Sequence, residues 1–376
     1  MSIQVIASVT NDINHDNRVD RICSSLQNNG YELMLVGRKR PGSKPIEKRI
    51  YSTRRFSLPF DKGPLFYASY NVRLLFFLLF SKADIFLAND LDTLPANFLA
   101  ARIRGKKLVY DSHEYFCYVP ELNDRPYVRK IWKFIEKKIF PKLKNVMTVN
   151  SSLADIFSDE YKVNIEIIRN VPVSEKHSDD DGDQNNEAVF LKEHQDKSKI
   201  IYQGVLNKDR GIEESILAMR YVENAVFLIA GEGDLSKELR KLAKKEGLSD
   251  KVEFLGRINL TELGKITRLC TLGLSLEKDT CLSYRYSLPN KIFNYMHAGI
   301  PVLSSDLIEK RGLIEKCEMG LFIESYDPEH IGSMINEMLS NSEKIFWWKQ
   351  NSLKGAKQFN WEIEEQKLLR FYENIA

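Results

Sequence analysis

Three basic side chains stand at the points where an apolar, strand-like run hands over to a helix. Lys291 lies in Ser287-Leu-Pro289-Asn-Lys291-Ile-Phe-Asn294, where Pro289 suits the first turn of a helix and Gly299 its C-terminal stop. A cation so close to a helix N-terminus opposes the helix dipole unless an anion is bound there, so Lys291 reads as part of an anion site. Arg210 closes the segment Gly204-Val-Leu-Asn-Lys-Asp-Arg210-Gly211 just before another predicted helix. A guanidinium fork beside helix N–H groups suits a phosphate. His113 follows the run Lys107 to Tyr110 directly, in Asp111-Ser-His113-Glu114. Ala230-Gly231-Glu232-Gly233 follows a further apolar run, and its two glycines let a backbone approach a ligand closely. Ser236 stands where a dinucleotide fingerprint needs its third glycine, so that fingerprint is absent.

The elements that must position these residues alternate. Ile3 to Val9 reads as a buried strand, and Val19, Ile22, Cys23 and Leu26 then form the apolar stripe of a helix that Gly30 ends. Strand-like runs at 31–36, 85–88, 107–110 and 146–149 are interleaved with helical patterns, and the alternation restarts at Ile200 with runs at 226–230, 252–255, 272–276 and 302–304. Strands alternating with helices imply a doubly wound parallel sheet in each half. Between them, 174–198 is polar and poor in apolar residues, as expected of a linker or insertion. The organisation predicted is therefore 1–173, a linker, and 199–359, with a closing helix at 360–376. In open parallel sheets ligands bind beyond the carboxyl ends of the strands, where all the basic residues above are found.

Composition narrows the function. A chain of 376 residues, 43% hydrophobic and 28% charged, with a net charge of +3, is globular and too weakly basic for bulk nucleic-acid binding. Its five cysteines are scattered without metal-binding spacing, as expected of reduced thiols in the cytosol. Met1 leads straight into a strand, without the pattern of a signal peptide, and the longest apolar run, 74–80, falls far short of the roughly 20 residues that span a bilayer. The segment 128–144 interleaves Lys and Arg with Val128, Ile131, Trp132, Ile135 and Ile139, so it suits either an anionic membrane surface or ordinary packing on its own domain.

Taken in order, the motifs resemble those of the retaining glycosyltransferases of family 4, which have the GT-B fold. The matching segments are Asp111-Ser-His113-Glu114, Asn170-Val-Pro172, the Arg210-Gly211 loop, Gly231-Glu-Gly233, Phe254-Leu-Gly256 and Pro289-Asn-Lys291-Ile-Phe-Asn294, with Gly299-Ile-Pro-Val behind it. Trp361, Leu368 and Tyr372 resemble the closing helix. The resemblance implies two Rossmann-like domains facing across a cleft, and a sugar transferred from a nucleotide-sugar donor to a glycan or lipid-linked acceptor at the cytoplasmic side of the membrane. It places His113 beside the transferred sugar, and Gly204, Arg210, Gly231, Glu232, Lys291 and Asn294 around the donor, with Arg210 and Lys291 on its diphosphate. Asn11, Asp12, Asp16, Arg18 and Asp90 would face the acceptor. Asp90-Leu-Asp92, followed by Thr-Leu-Pro, fits the family's own segment better than a metal-binding pair, so no cofactor or metal is expected. Three positions depart from the pattern: Tyr286 and Asn294 replace its paired glutamates, and Val205 replaces an arginine. They leave open a non-catalytic nucleotide-sugar-binding subunit or an epimerase on the same fold.

Overall fold

The computed structural model describes residues 2–14, 16–174 and 194–375; most of the polar stretch expected as a linker lies outside these residues. The chain divides into two compact units, 1–170 with 281–283 and 363–376, and 171–280 with 284–362.

The first unit carries seven parallel strands: β1 (Gln4–Ser8), β2 (Glu32–Lys39), β3 (Ser52–Ser57), β4 (Ile85–Asn89), β5 (Lys107–Ser112), β6 (Asn145–Thr148) and β7 (Ile165–Ile167). Their order is β3-β2-β1-β4-β5-β6-β7, so the direction of winding reverses between β1 and β4. A crevice opens at such a reversal because successive crossovers leave on opposite faces. The helices include α1 (Asn17–Asn28), α2 (Gly63–Leu79), α3 (Leu94–Arg104), α4 (Pro126–Ile139) and α5 (Ser151–Tyr161). Phe66, Tyr70, Leu74 and Leu78 of α2 bury the stripe that holds it on the sheet beside Val36 and Phe56. The apolar run 74–80 is thus the end of this 17-residue helix, and no described helix is long and apolar enough to cross a membrane.

The second unit carries six parallel strands: β8 (Ser198–Gln203), β9 (Ala225–Ala230), β10 (Val252–Gly256), β11 (Leu272–Ser275), β12 (Val302–Ser305) and β13 (Gly320–Ile323). Their order is β10-β9-β8-β11-β12-β13, with the reversal between β8 and β11. Alternation of side chains explains the double covering: Ala225, Phe227 and Ile229 of β9 enter one core cluster, and Val226 and Leu228 enter another. Helices α6 (Ile212–Ala218), α7 (Ser236–Lys245), α8 (Leu260–Arg268), α9 (Leu282–Arg285), α10 (Asn290–Ala298), α11 (Ile308–Cys317), α12 (Pro328–Ser340) and α13 (Ser342–Ala356) follow, and α14 (Trp361–Glu373) ends the chain.

Helix α10 has the boundaries its sequence predicts, with Pro289 at its N-cap and Gly299 left-handed at its C-cap. Ile292, Phe293, Tyr295 and Met296 bury one face of it. The Tyr295 hydroxyl lies 3.1 Å from the carbonyls of both Ile201 on β8 and Leu274 on β11, which pins the helix across the reversal. Gly273 makes this possible: a Cβ there would lie 2.4 Å from the Tyr295 ring. In α14, Leu368 and Tyr372 are fully buried, and the Tyr372 ring meets Tyr31 edge-on at 5.8 Å.

Candidate functional site

In the second unit the chemistry gathers beyond β8 and β11. Lys291, in the first turn of α10, is 5% exposed and donates to Glu277 Oε1 at 2.5 Å. Glu277 stands two residues past β11, and its other oxygen, Oε2, accepts from Lys310 Nζ at 2.5 Å and from Ser275 Oγ at 2.8 Å. The anion that the helix dipole calls for beside Lys291 is therefore supplied in part from within the chain, and the lysine lies out of bulk solvent. Lys291 also lies over the Tyr202 ring, 4.1 Å from its centroid. Arg210 sits over Tyr284 at 5.5 Å, and its Nε is shielded from solvent without a partner.

Burial sets the electrostatics. It drives Lys291 down to about 8, an effect that Glu277 only partly offsets and Arg210 reinforces. Lys310 is likewise lowered to about 8 by burial against the pull of Glu277. Burial also opposes the charge on Glu277, but Lys291, Lys310 and Arg210 outweigh it and hold the carboxyl well below its ordinary range. Lys291 and Lys310 thus share one carboxylate and Arg210 adds its field, so the three cations outnumber the carboxylate by two in a poorly solvated place.

The glycine loops bring backbone to the same strand ends. Gly204 and Gly231 both have positive φ, and a Cβ on Gly231 would lie 1.8 Å from the Gly204 carbonyl oxygen, so β8 and β9 end in two turns that touch through backbone alone. Lys291 Cε lies 3.7 Å from where a Gly204 Cβ would be, which brings the lysine to the loop that carries Val205. Asn294 donates to Gln203 Oε1 at 3.0 Å, and Gln203 in turn donates to Thr267. The Glu232 side chain is 40% exposed and pairs with Arg240 at 3.4 Å.

In the first unit a charged chain lies across the ends of β4 and β5. Arg18, 3% exposed, grips Asp111 through Nε at 2.9 Å and NH2 at 2.7 Å, and also donates to the Ile168 carbonyl at 2.7 Å. Asp111 Oδ2 is 3.0 Å from His113 Nε2, and the other ring nitrogen, Nδ1, is 3.3 Å from Asp90 Oδ2. Asp90 Oδ1 accepts from the His113 backbone N–H at 2.9 Å. Burial works against a charged imidazole, yet Asp90 and Asp111 together raise His113 to about 9, so the ring is cationic near neutral pH. Burial opposes the Asp111 charge as well, but Arg18 and His113 hold it at about 2. Asp92, which accepts from Thr10 Oγ1 at 2.5 Å, is raised to about 7 by burial and then by Asp90.

Of the residues assigned to the acceptor, Asp90 alone touches His113. Arg18 is withdrawn from solvent and holds Asp111, the carboxylate that contacts the His113 ring. Asp16 caps α1 through the Val19 N–H at 3.2 Å and accepts from Asn11 at 2.8 Å. Asp12 accepts from Ser43 at 3.3 Å. These are loop-holding bonds. Sequence reading missed Glu277 and Lys310; an acid just past a strand's carboxyl end was the available sign for the first, and nothing local marks the second. Among the described residues no group of His, Cys, Asp and Glu is arranged to hold a metal.

Residues 183–354 match the family model described as glycosyl transferases group 1, and residues 16–171 match that described as glycosyltransferase family 4. The chain is 26% identical over 272 residues to the GalNAc-alpha-(1->4)-GalNAc-alpha-(1->3)-diNAcBac-PP-undecaprenol alpha-1,4-N-acetyl-D-galactosaminyltransferase of Campylobacter jejuni, covering 67% of this chain and 69% of that protein. Two further curated relatives are matched over less than half of their length. Among solved structures it is similar to sucrose-phosphate synthase from Thermosynechococcus elongatus, with a TM-score of 0.78 at 17% identity over 99% of both chains. It is also similar to Anabaena HepE in complex with UDP and glucose, with a TM-score of 0.76 at 14% identity over 99% of this chain and 100% of that one. With glycosyltransferase models matching both halves and two doubly wound parallel sheets to carry them, the chain belongs to the group 1 glycosyltransferases of the GT-B fold.

Proposed function

We propose that this glycosyltransferase takes its sugar from a nucleotide-sugar donor and passes it, with retention at the anomeric carbon, to a lipid-linked or other glycan acceptor in cell-envelope polysaccharide synthesis. The observation that carries the donor reading is the surplus of two positive charges around Glu277, at the winding reversal of the second sheet. Buried charge without compensation is costly, and a diphosphate supplies the compensation. Lys291 stands against the loop that carries Val205 in place of the arginine the resemblance implies, and Arg210 adds a half-buried guanidinium. As the sugar carbon parts from the diphosphate, charge grows on the leaving oxygen, and fixed cations at a helix N-terminus stabilise it without a metal. Asn294 has its amide nitrogen on Gln203, which leaves its carbonyl to accept from a ribose hydroxyl. His113, held cationic, is assigned to the transferred sugar. HepE, with UDP and glucose bound, is a neighbour in fold, and the Campylobacter relative acts on an undecaprenol-linked glycan.

Thermal-shift screening against nucleoside diphosphates and nucleotide sugars tests the donor reading: stabilisation by one nucleotide series is expected, and none across the panel contradicts it. Transfer is expected to persist in EDTA. A non-catalytic subunit would bind the nucleotide without turnover, and an epimerase would interconvert free donors.

Work at the inner face of the cytoplasmic membrane is part of the same proposal, and α4 supports it. Trp132 and Glu136 are buried, whereas Tyr127, Ile131 and Phe134 are 80%, 59% and 61% exposed, beside exposed Lys130, Lys137 and Lys138. Packing on its own domain uses only one of the helix's two apolar faces. Sedimentation with anionic liposomes should be salt-sensitive and should fall for Ile131→Asp with Phe134→Asp; binding unchanged in that variant contradicts the assignment.

A further inference from the structure

Lys310 has no route to a ligand. It is 0% exposed, and its three N–H groups go to the Ser275 carbonyl at 2.9 Å, Glu277 Oε2 at 2.5 Å and Ser305 Oγ at 2.8 Å. Lys291 differs: among the described residues it donates to Glu277 Oε1, and an ammonium has two further N–H groups to offer an anion. Between them Glu277 is held rigidly. Its carbonyl accepts from Ser305 Oγ at 2.6 Å and from the Tyr326 hydroxyl at 2.8 Å, and its carboxylate from Ser275 Oγ. A carboxylate facing Lys291 alone would cancel the lysine's field and compete with any incoming phosphate. A second cation on its far oxygen divides that attraction.

Building on the donor reading above, we propose that Lys310 is a positioning residue of the phosphate site: by neutralising Glu277 from behind, it leaves Lys291 with net positive charge for the donor's diphosphate. The carboxylate then aims Lys291 without quenching it. Burial lowers both lysines to about 8 against the pull of Glu277, so the one carboxylate compensates neither of them fully.

The experiment is calorimetric titration with inorganic pyrophosphate of the parent, Lys310→Met, Glu277→Gln and the double variant, each confirmed folded by circular dichroism. Affinity should follow the charge of the cluster. Lys310→Met is expected to weaken pyrophosphate binding roughly tenfold or more, since one charge-assisted interaction is turned back onto Glu277. Glu277→Gln should bind at least as tightly as the parent, and the double variant, with two cations and no carboxylate, should return to within about threefold of it. A purely structural Lys310 gives no such rescue. Parent-like binding by Lys310→Met, or a double variant as weak as Lys310→Met, overturns the proposal while leaving the donor reading intact. Should Lys310→Met fail to fold, weaker binding by Glu277→Gln alone overturns it. A parent that binds neither pyrophosphate nor any nucleoside diphosphate removes the donor reading, and this proposal with it.

Discussion

The charged clusters of the two units solve opposite problems. In the first, two cations, Arg18 and His113, alternate with two carboxylates, Asp111 and Asp90, so the chain of contacts is balanced and each member holds the next. In the second, Lys291 and Lys310 share Glu277 within the field of Arg210, and balance is missing. A balanced cluster needs no ligand to persist and suits the holding of one imidazole in one state. An unbalanced one is stabilised by an anion that the chain does not contain. On the proposed reading, one unit orients and the other binds.

The largest effect should come from breaking the orienting cluster at its working end. His113→Ala is expected to lower kcat by about a hundredfold or more while affinity for the nucleoside diphosphate changes by less than about twofold. A transfer assay beside calorimetry checks both, and parent-like turnover removes His113 from the chemistry. Arg18→Lys keeps the charge but loses the two-pronged grip on Asp111, so a kcat loss nearer tenfold is expected, with the basic limb of the pH–rate profile moved. An unaltered profile would make Arg18 merely structural.

The clusters should also respond to alkali in opposite directions. His113 is raised from an unfolded value near 6.5 to about 9, so the stability it contributes is complete below pH ~6.5 and is lost as pH rises through 9. Lys291 and Lys310 are lowered to about 8, so the penalty for burying them charged lessens as pH rises from 8 toward their unfolded value of ~10.4. Urea denaturation at pH 7 and pH 9.5 separates them. Relative to the parent, His113→Asn should lose less stability on going to pH 9.5, and Lys310→Met should lose more, each difference being on the order of 1 to 2 kcal/mol. Parallel pH dependences for all three proteins would dissolve the contrast.

Much of the binding cluster was legible because it obeys local rules. Pro289 and Gly299 bound α10 as their chemistry requires, and the dipole argument singled out Lys291. What the sequence hid is long-range. Glu277 is 14 residues from Lys291 and 33 from Lys310, and Arg18 is 93 from Asp111; no periodicity links such pairs. Nor does a sequence show that the side chains of Asn11, Asp12 and Asp16 hold a loop and cap a helix. Edge strand β3, Ser-Thr-Arg-Arg-Phe-Ser, escaped for a related reason: only Phe56 on it is buried, so it lacks the apolar run that marked the central strands.

The contrast between a balanced and an unbalanced cluster is tested most directly by calorimetry with the nucleoside diphosphate that the thermal-shift panel selects, comparing the parent with Lys291→Met, Arg210→Met and His113→Ala. Removing either cation of the second unit should weaken binding by about ten- to a hundredfold, equivalent to roughly 1.5 to 3 kcal/mol, and the dependence on salt should become shallower. His113→Ala should bind as the parent does. Lys291→Met and Arg210→Met binding as tightly as the parent, or His113→Ala losing as much affinity as they do, would contradict the account.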